Sequence, residues 1–391
     1  MATPTRLIAD LEARLGERRE SGLWRTRRTL EGTQGAHVDV DGRRMLAFAS
    51  NDYLGLAADP ALVDAACEGA RRFGVGAGAS HLVCGHHAAH ATAEASLAAY
   101  VAPCEGAAAL LFSSGYLANL AVLTTLAGRG DAIFADRLNH ACLNDGALLS
   151  RATLVRYDHA DSEALGERLR ASTAQRKVIA TDAVFSMDGD VAPLARLLEL
   201  ADRHDAWLVV DDAHGFGVLG DGRGSLAEDG LTDPRIVYMG TLGKAAGVCG
   251  AFVAAHPAVI ETLVQTARSY IYTTAIPPLQ ALAVTAALEA IRHAGGRRRW
   301  LGELVLRLRE GARALPWPLA PSRTPIQPLI VGDNGTAMAL STSLAARGLL
   351  VPAIRPPTVP AGTARLRISL SASHQPADID RLLAALAGAA R

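Results

Sequence analysis

Short apolar runs alternate with longer amphipathic segments through most of this 391-residue chain, and that alternation restricts its fold more than any other feature. A short uninterrupted apolar run fits a strand buried on both faces, and apolar residues recurring every three to four positions fit a helix laid against it. Strands are expected at Ala107 to Phe112, Asp131 to Ala135, Lys177 to Thr181, Trp207 to Val210, Ile236 to Met239 and Gly250 to Val253. Helices between most of them make the sheet mainly parallel, an α/β arrangement. Asp59-Pro60 supplies an N-cap and a first-turn proline for a helix through Arg72, and Pro193 opens another running to about His204.

The pattern changes from Pro277. Helices are expected at Pro278 to His293 and Arg298 to Ala314, before a proline-rich passage from Pro316 to Pro328. Strand, helix, strand, strand and helix follow at Gln327 to Val331, Gly335 to Ala346, Leu350 to Ile354, Arg365 to Leu370 and Ala377 to Ala390, the order of a smaller α+β unit. The chain is long for one core. It divides into an N-terminal arm (1–50), a large domain (51–276) and a C-terminal small domain with its leading helices (277–391).

Half of the residues are hydrophobic, 20% are charged and the formal net charge is zero, which describes a soluble globular protein without an electrostatic footprint for nucleic acid. Arg297-Arg298-Arg299 and the group Arg25, Arg27 and Arg28 read as solvated faces. Five cysteines, at 67, 84, 104, 142 and 249, form no CxxC pair and are odd in number, which argues against a disulfide scaffold. The charged opening segment Leu7 to Arg19 lacks the apolar core of a signal peptide, and no apolar stretch is long enough to span a bilayer. A cytoplasmic protein is expected.

Two patterns carry less than their letters promise. Gly215-Phe216-Gly217-Val218-Leu219-Gly220 matches GxGxxG but does not open a helix, since Asp221-Gly222-Arg223-Gly224 follows. His81, Cys84, His86, His87 and His90 are the densest soft-ligand cluster, yet no acidic partner or CxxC pair accompanies them. That segment reads as a glycine-rich turn leading into a helix that ends near Val101, and no metal is expected.

Only two of the thirty-nine basic residues are lysines, Lys177 and Lys244. Lys177 sits at a strand start. Lys244 lies in the small turn-forming run Gly240-Thr241-Leu242-Gly243-Lys244-Ala245, where a neutral amine does what guanidinium cannot, attack a carbonyl. The strand through Val210 delivers Asp211-Asp212-Ala213-His214 at its carboxyl end, and Lys244 follows the next strand in the same manner. Ligands of open α/β sheets bind at such ends. A carboxylate and an amine facing one ligand suit pyridoxal 5'-phosphate (PLP), whose aldehyde condenses with lysine while a carboxylate keeps its ring nitrogen protonated. Ser113-Ser114-Gly115-Tyr116 offers helix-start N–H groups to a phosphate, Phe185-Ser186-Met187 a hydroxyl, and Asn139-His140 an imidazole, each after its own strand.

Ser50-Asn51-Asp52-Tyr53-Leu54-Gly55-Leu56, Asp136 to Cys142, Val184 to Asp190, Asp211 to Gly217 and Gly240 to Ala245 together resemble the α-oxoamine synthases, a branch of the fold-type I PLP enzymes. Tyr270-Ile271-Tyr272-Thr273-Thr274 and the stretch Ile354 to Arg367 resemble the members of that family acting in biotin synthesis. The passage His81 to His87 departs from the family's pattern.

The resemblance implies a large mainly parallel-sheet domain with a smaller α+β C-terminal domain. It implies a decarboxylative condensation of L-alanine with a pimeloyl thioester of CoA or acyl carrier protein, by a homodimer with sites at the interface. By that likeness Lys244 would hold PLP and act as base, Asp211 would pair with the ring nitrogen and His140 would stack on the ring. Ser186 and His214 would contact the phenolic oxygen, and Gly115, Tyr116 and Thr241 would serve the phosphate. Thr273 or Thr274 would reach a neighbouring subunit's phosphate, Arg367 would hold the amino-acid carboxylate, and Arg25, Asn51 and Thr358 would help place substrate. The nearest rival within the family is the 2-amino-3-oxobutyrate CoA ligase reaction on glycine and acetyl-CoA.

Overall fold

The computed structural model describes residues 5–389. Its main sheet has seven strands: β1 (Ala108–Phe112), β2 (Ala132–Asp136), β3 (Thr153–Tyr157), β4 (Lys177–Asp182), β5 (Ala206–Asp211), β6 (Ile236–Thr241) and β7 (Ala251–Ala255), in the order β1-β7-β6-β5-β4-β2-β3. β7 is antiparallel to both of its neighbours, and the remaining pairs are parallel. Two reversals cancel, so β1 points the same way as β2 to β6. The carboxyl ends of these six strands therefore share one edge.

Side chains along each strand alternate between two cores. On β4, Ile179 joins Phe134, Leu208 and Ile236 on one face, while Val178 and Ala180 join Ile133, Val209 and Val237 on the other. Helices cover both faces, which is why these strands read as unbroken apolar runs. Each such side chain, fully buried, contributes about 1.5–3 kcal/mol. β3 escaped the sequence reading because it is an edge strand, largely half-buried or exposed and interrupted by Arg156.

Asp59 caps the helix Pro60–Phe73 by accepting from the Ala61 amide, with Pro60 in its first turn. Pro193 instead occupies the cap position itself, before Leu194–Arg203. The helix expected at Arg298 to Ala314 runs Gly295–Ala312. The single strand expected from Leu350 to Ile354 is two, Leu349–Leu350 and Ala353–Ile354, in different sheets. Pro352 lies between them and has no amide proton to continue a ladder. Leu349–Leu350 pairs in parallel with Arg43–Ala47, which forms a hairpin with His37–Val40. Ala353–Ile354 joins the antiparallel pair Ile326–Gly332 and Ala364–Ser369. Among the described residues, no helix is long and apolar enough to cross a membrane.

Candidate active site

β5 and β6 are adjacent and parallel, with Asp211 in register with Met239. After β6 the chain turns through Gly247, whose φ is +70° and where an added Cβ would lie 2.6 Å from the Ala57 amide nitrogen. Only glycine permits so close an approach. It lays the segment Ser50 to Ala57 against the loop that carries Lys244.

Lys244 Nζ lies 3.0 Å from His214 Nε2, and His214 Nδ1 lies 2.6 Å from Tyr53 Oη. Burial lowers the lysine's pKa, opposed in part by the carboxylates of Asp211 and Asp182. Burial, then the charges of Lys244 and Arg367, hold the His214 pKa well below that of free histidine, so its ring is neutral. Asp211 Oδ1 accepts from the Ala213 amide at 3.0 Å, and Oδ2 accepts from Asn119 Nδ2 at 2.7 Å. Asp182, also buried, has its pKa raised well above the usual carboxylate range by burial and then by Asp211.

His140 caps the helix Ala141–Ser150 and is open to the cavity; its amide donates to Asp182 Oδ2 at 2.6 Å. Its Nδ1 lies 2.8 Å from Cys142 Sγ, a thiol pushed up to about 12 by burial and by Asp211. Ser114 caps the helix Gly115–Leu126, which places the amides of Gly115 and Tyr116 at its exposed start. The Tyr116 hydroxyl donates to the Asp145 carboxylate. Thr241 ends β6, its Oγ1 donating to the Gly250 carbonyl at 3.3 Å.

Arg367 gathers the opposite wall. Its Nε donates to the Ser186 carbonyl at 2.6 Å, and its Nη1 donates to Ser369 Oγ at 2.7 Å and to Asn51 Oδ1 at 3.2 Å. A cavity of about 570 Å³ lies beside His140, Ser186 and Thr358. Thr358 also lines a smaller cavity of about 190 Å³ together with Arg25. Another cavity, of about 580 Å³, is lined by Phe73, Thr92 and Arg292 and by none of these residues.

Thr274 bridges Ser80, beside a π-turn at His81–Gly85. His81, His86 and His90 bring ring nitrogens within 4.8 Å of one another. His90, however, accepts from the His87 amide at one nitrogen and bonds the Ile276 carbonyl with the other, so both are committed. The sequence reading passed over Tyr53, Asn119, Asp182 and Cys142. Asn119 follows Gly115 by four residues, one helical turn, and that spacing was the available signal.

PLP requires a carboxylate at its ring nitrogen, an amine at its aldehyde, a flat group over its ring and donors for its phosphate. Asp211, Lys244, His140 and the open helix start after Ser114 are a donor set of that kind.

Residues 43–386 match the family model for aminotransferase class I and II. The 8-amino-7-oxononanoate synthase of Nitrosomonas europaea is 58% identical over 384 residues, covering 97% of this chain and 98% of that one. The enzyme of the same name from Aromatoleum aromaticum is 60% identical over 381 residues, covering 97% and 98%. The Sphingomonas wittichii serine palmitoyltransferase structure superposes with a TM-score of 0.89 at 31% identity, covering 98% of this chain and 96% of that one. An SPT structure with PLP gives a TM-score of 0.91 at 30% identity, covering 99% and 98%. The chain belongs to the 8-amino-7-oxononanoate synthase family, within the fold-type I PLP enzymes.

Proposed function

We propose that this chain is a PLP-dependent acyltransferase that condenses L-alanine with a pimeloyl thioester, releasing carbon dioxide and the free thiol carrier and forming 8-amino-7-oxononanoate for biotin synthesis. One observation carries the reading: a buried amine and a buried carboxylate, Lys244 and Asp211, leave adjacent parallel strands on one sheet edge. The curated relatives at 58–60% identity favour this substrate pair over that of serine palmitoyltransferase.

PLP, when bound, supplies an electrophilic carbonyl and a ring that accepts electron density from the amino acid's α-carbon. Lys244 would hold it, and burial, which lowers the amine's pKa, favours the unprotonated form that would take the α-proton of alanine at Nζ. Asp211 keeps a negative charge at the ring nitrogen, with Asn119 orienting the carboxylate. His140 would cover the ring, Ser186 and His214 would contact the phenolic oxygen, and Gly115, Tyr116 and Thr241 would serve the phosphate. Arg367 receives the alanine carboxylate. Asn51, Thr358 and Arg25 place the acyl chain, with Arg25 reaching its distal carboxylate.

The active species is a homodimer in the cytoplasm, with Thr273 or Thr274 turned to the partner's phosphate. The division into 1–50, 51–276 and 277–391 is supported by a main sheet lying wholly within Ala108–Ala255. Product mass with labelled alanine and either pimeloyl-CoA or pimeloyl-acyl carrier protein tests the reading. Faster turnover of glycine with acetyl-CoA overturns the substrate assignment.

A further inference from the structure

The one hydroxyl proton of Tyr53 decides how its neighbours are protonated. Arg367 only donates, so Asn51 Oδ1, 3.2 Å from its Nη1, is an acceptor. Tyr53 Oη lies 3.2 Å from that oxygen and 2.6 Å from His214 Nδ1, so its single proton goes to one of two acceptors. With the proton on the Asn51 side, Tyr53 offers His214 Nδ1 a lone pair and Nδ1 carries the ring proton. Burial and the groups Lys244, Arg367 and His140 all oppose a second proton on His214. A neutral ring protonated at Nδ1 leaves Nε2 bare to accept from Lys244 Nζ, 3.0 Å away. Exposures of 0% for Tyr53, 6% for His214 and 5% for Arg367 keep bulk water from reversing the order.

We propose that Tyr53 is a positioning residue that holds His214 as its Nδ1–H tautomer, and that Arg367, acting through Asn51, sets the direction of this hydrogen-bond chain toward Lys244. The opposite tautomer would donate from Nε2 into the lysine's lone pair and occupy the electrons a base needs. In the proposed arrangement, the lysine spends a proton on His214 and keeps its lone pair for the cavity. The guanidinium that receives a substrate carboxylate and the amine that takes a substrate proton are thus joined by four hydrogen bonds through three side chains. The effect on turnover rests on the PLP reading above, and the tautomer itself does not.

Nitrogen-15 NMR of the full chain, labelled at its 12 histidines and free of ligand, tests the tautomer, with His214→Gln identifying the signal. A protonated Nδ1 and a bare Nε2 are expected in the unsubstituted protein, and loss of that pattern in Tyr53→Phe. A protonated Nε2 in the unsubstituted protein, or an unchanged pattern in Tyr53→Phe, overturns the proposal. Asn51→Asp keeps an acceptor beside Tyr53 and should retain the Nδ1–H form, giving a second comparison should Tyr53→Phe fail to fold; a switch there is equally fatal. In the PLP-loaded protein, Tyr53→Phe should lower kcat about tenfold while changing the KM for alanine less than about threefold. The pH midpoint of the visible band should also move by about half a unit or more. An unmoved midpoint with unchanged kcat refutes the link to Lys244. A protein with the expected tautomer but no visible band after PLP addition keeps the hydrogen-bond chain and sinks the cofactor reading.

Discussion

Asn119 Nδ2 donates to Asp211 Oδ2 at 2.7 Å from a helix whose first turn also carries Gly115 and Tyr116. One helix therefore bears both the amides assigned to a phosphate and the donor that orients the carboxylate assigned to the ring nitrogen. Asn119→Ala removes that donor from a buried charged acceptor, a loss of about 1.5–3 kcal/mol. PLP affinity should weaken by about tenfold or more in an absorbance titration. Unaltered affinity in a protein of normal melting temperature would refute the link.

Lys244→Ala removes the amine and leaves Asp211, His140 and the helix start in place. Turnover should fall by at least about a thousandfold, and borohydride should trap no PLP adduct on the protein. Noncovalent PLP binding is expected to survive in equilibrium dialysis. A condensation rate near that of the unsubstituted protein would remove Lys244 from the chemistry.

Arg367→Lys keeps a charge but loses the fork that spans Ser186, Asn51 and Ser369. The KM for alanine should rise by about tenfold, with a smaller change in PLP affinity. Steady-state kinetics at saturating PLP separate the two, and equal losses in both would contradict a carboxylate role.

His159 sits between Asp136 Oδ1 at 3.1 Å and Asp190 Oδ2 at 2.7 Å. Burial alone would depress its pKa, but the two carboxylates raise it to about 10. A folded value above the unfolded value of about 6.5 means the stabilisation is complete below that pH and is lost as pH rises toward 10. His159→Gln should therefore melt lower than the unsubstituted protein at pH 6, by on the order of 2 kcal/mol of stability. The gap in thermal melts should narrow steadily toward pH 10; a gap that widens would reverse the assignment of charge.

Gly189 has φ +72°, and a Cβ there would overlap the Ile326 carbonyl and the Ser322 hydroxyl. Its own carbonyl accepts from Ser322 Oγ at 2.8 Å and Thr324 Oγ1 at 3.0 Å. Gly189→Ala combines backbone strain with overpacking and should destabilise by about 2–4 kcal/mol. Because the same loop holds Ser186 against Arg367, the KM for alanine should rise as well. A variant with unchanged melting would show that the loop relaxes freely.

What the residue pattern disclosed and what it hid follow from how local each signal is. The strand that delivers Asp211 is legible because buried parallel strands are short apolar runs closed by polar residues, whereas the strand expected to stop at Met239 runs on to Thr241, since Gly240 and Thr241 lack that apolar contrast. Lys244 stood out because arginine replaces lysine almost everywhere else. Tyr53 and Asn119 did not, since a tyrosine or asparagine acquires meaning only from the partner that the fold brings, here His214 and Asp211. Asp182 was hidden for the same reason: the last residue of β4 looks like any strand-end carboxylate until His140 and Asp211 are beside it. The break at Pro352 was readable from proline chemistry, but a run of five residues between turns gave no hint that its halves join different sheets.

The parallel pairing of Arg43–Ala47 with Leu349–Leu350 has a consequence for the order of events on the ribosome. The first strand emerges early and waits for roughly 300 further residues before its partner exists, a long interval for an open hairpin edge. Asn51, four residues beyond that strand, meets Arg367 only after the same delay. A nascent chain halted after β7 possesses Lys244 and Asp211 but lacks the guanidinium of Arg367, so synthesis must proceed past that arginine before the residues of the proposed site coexist.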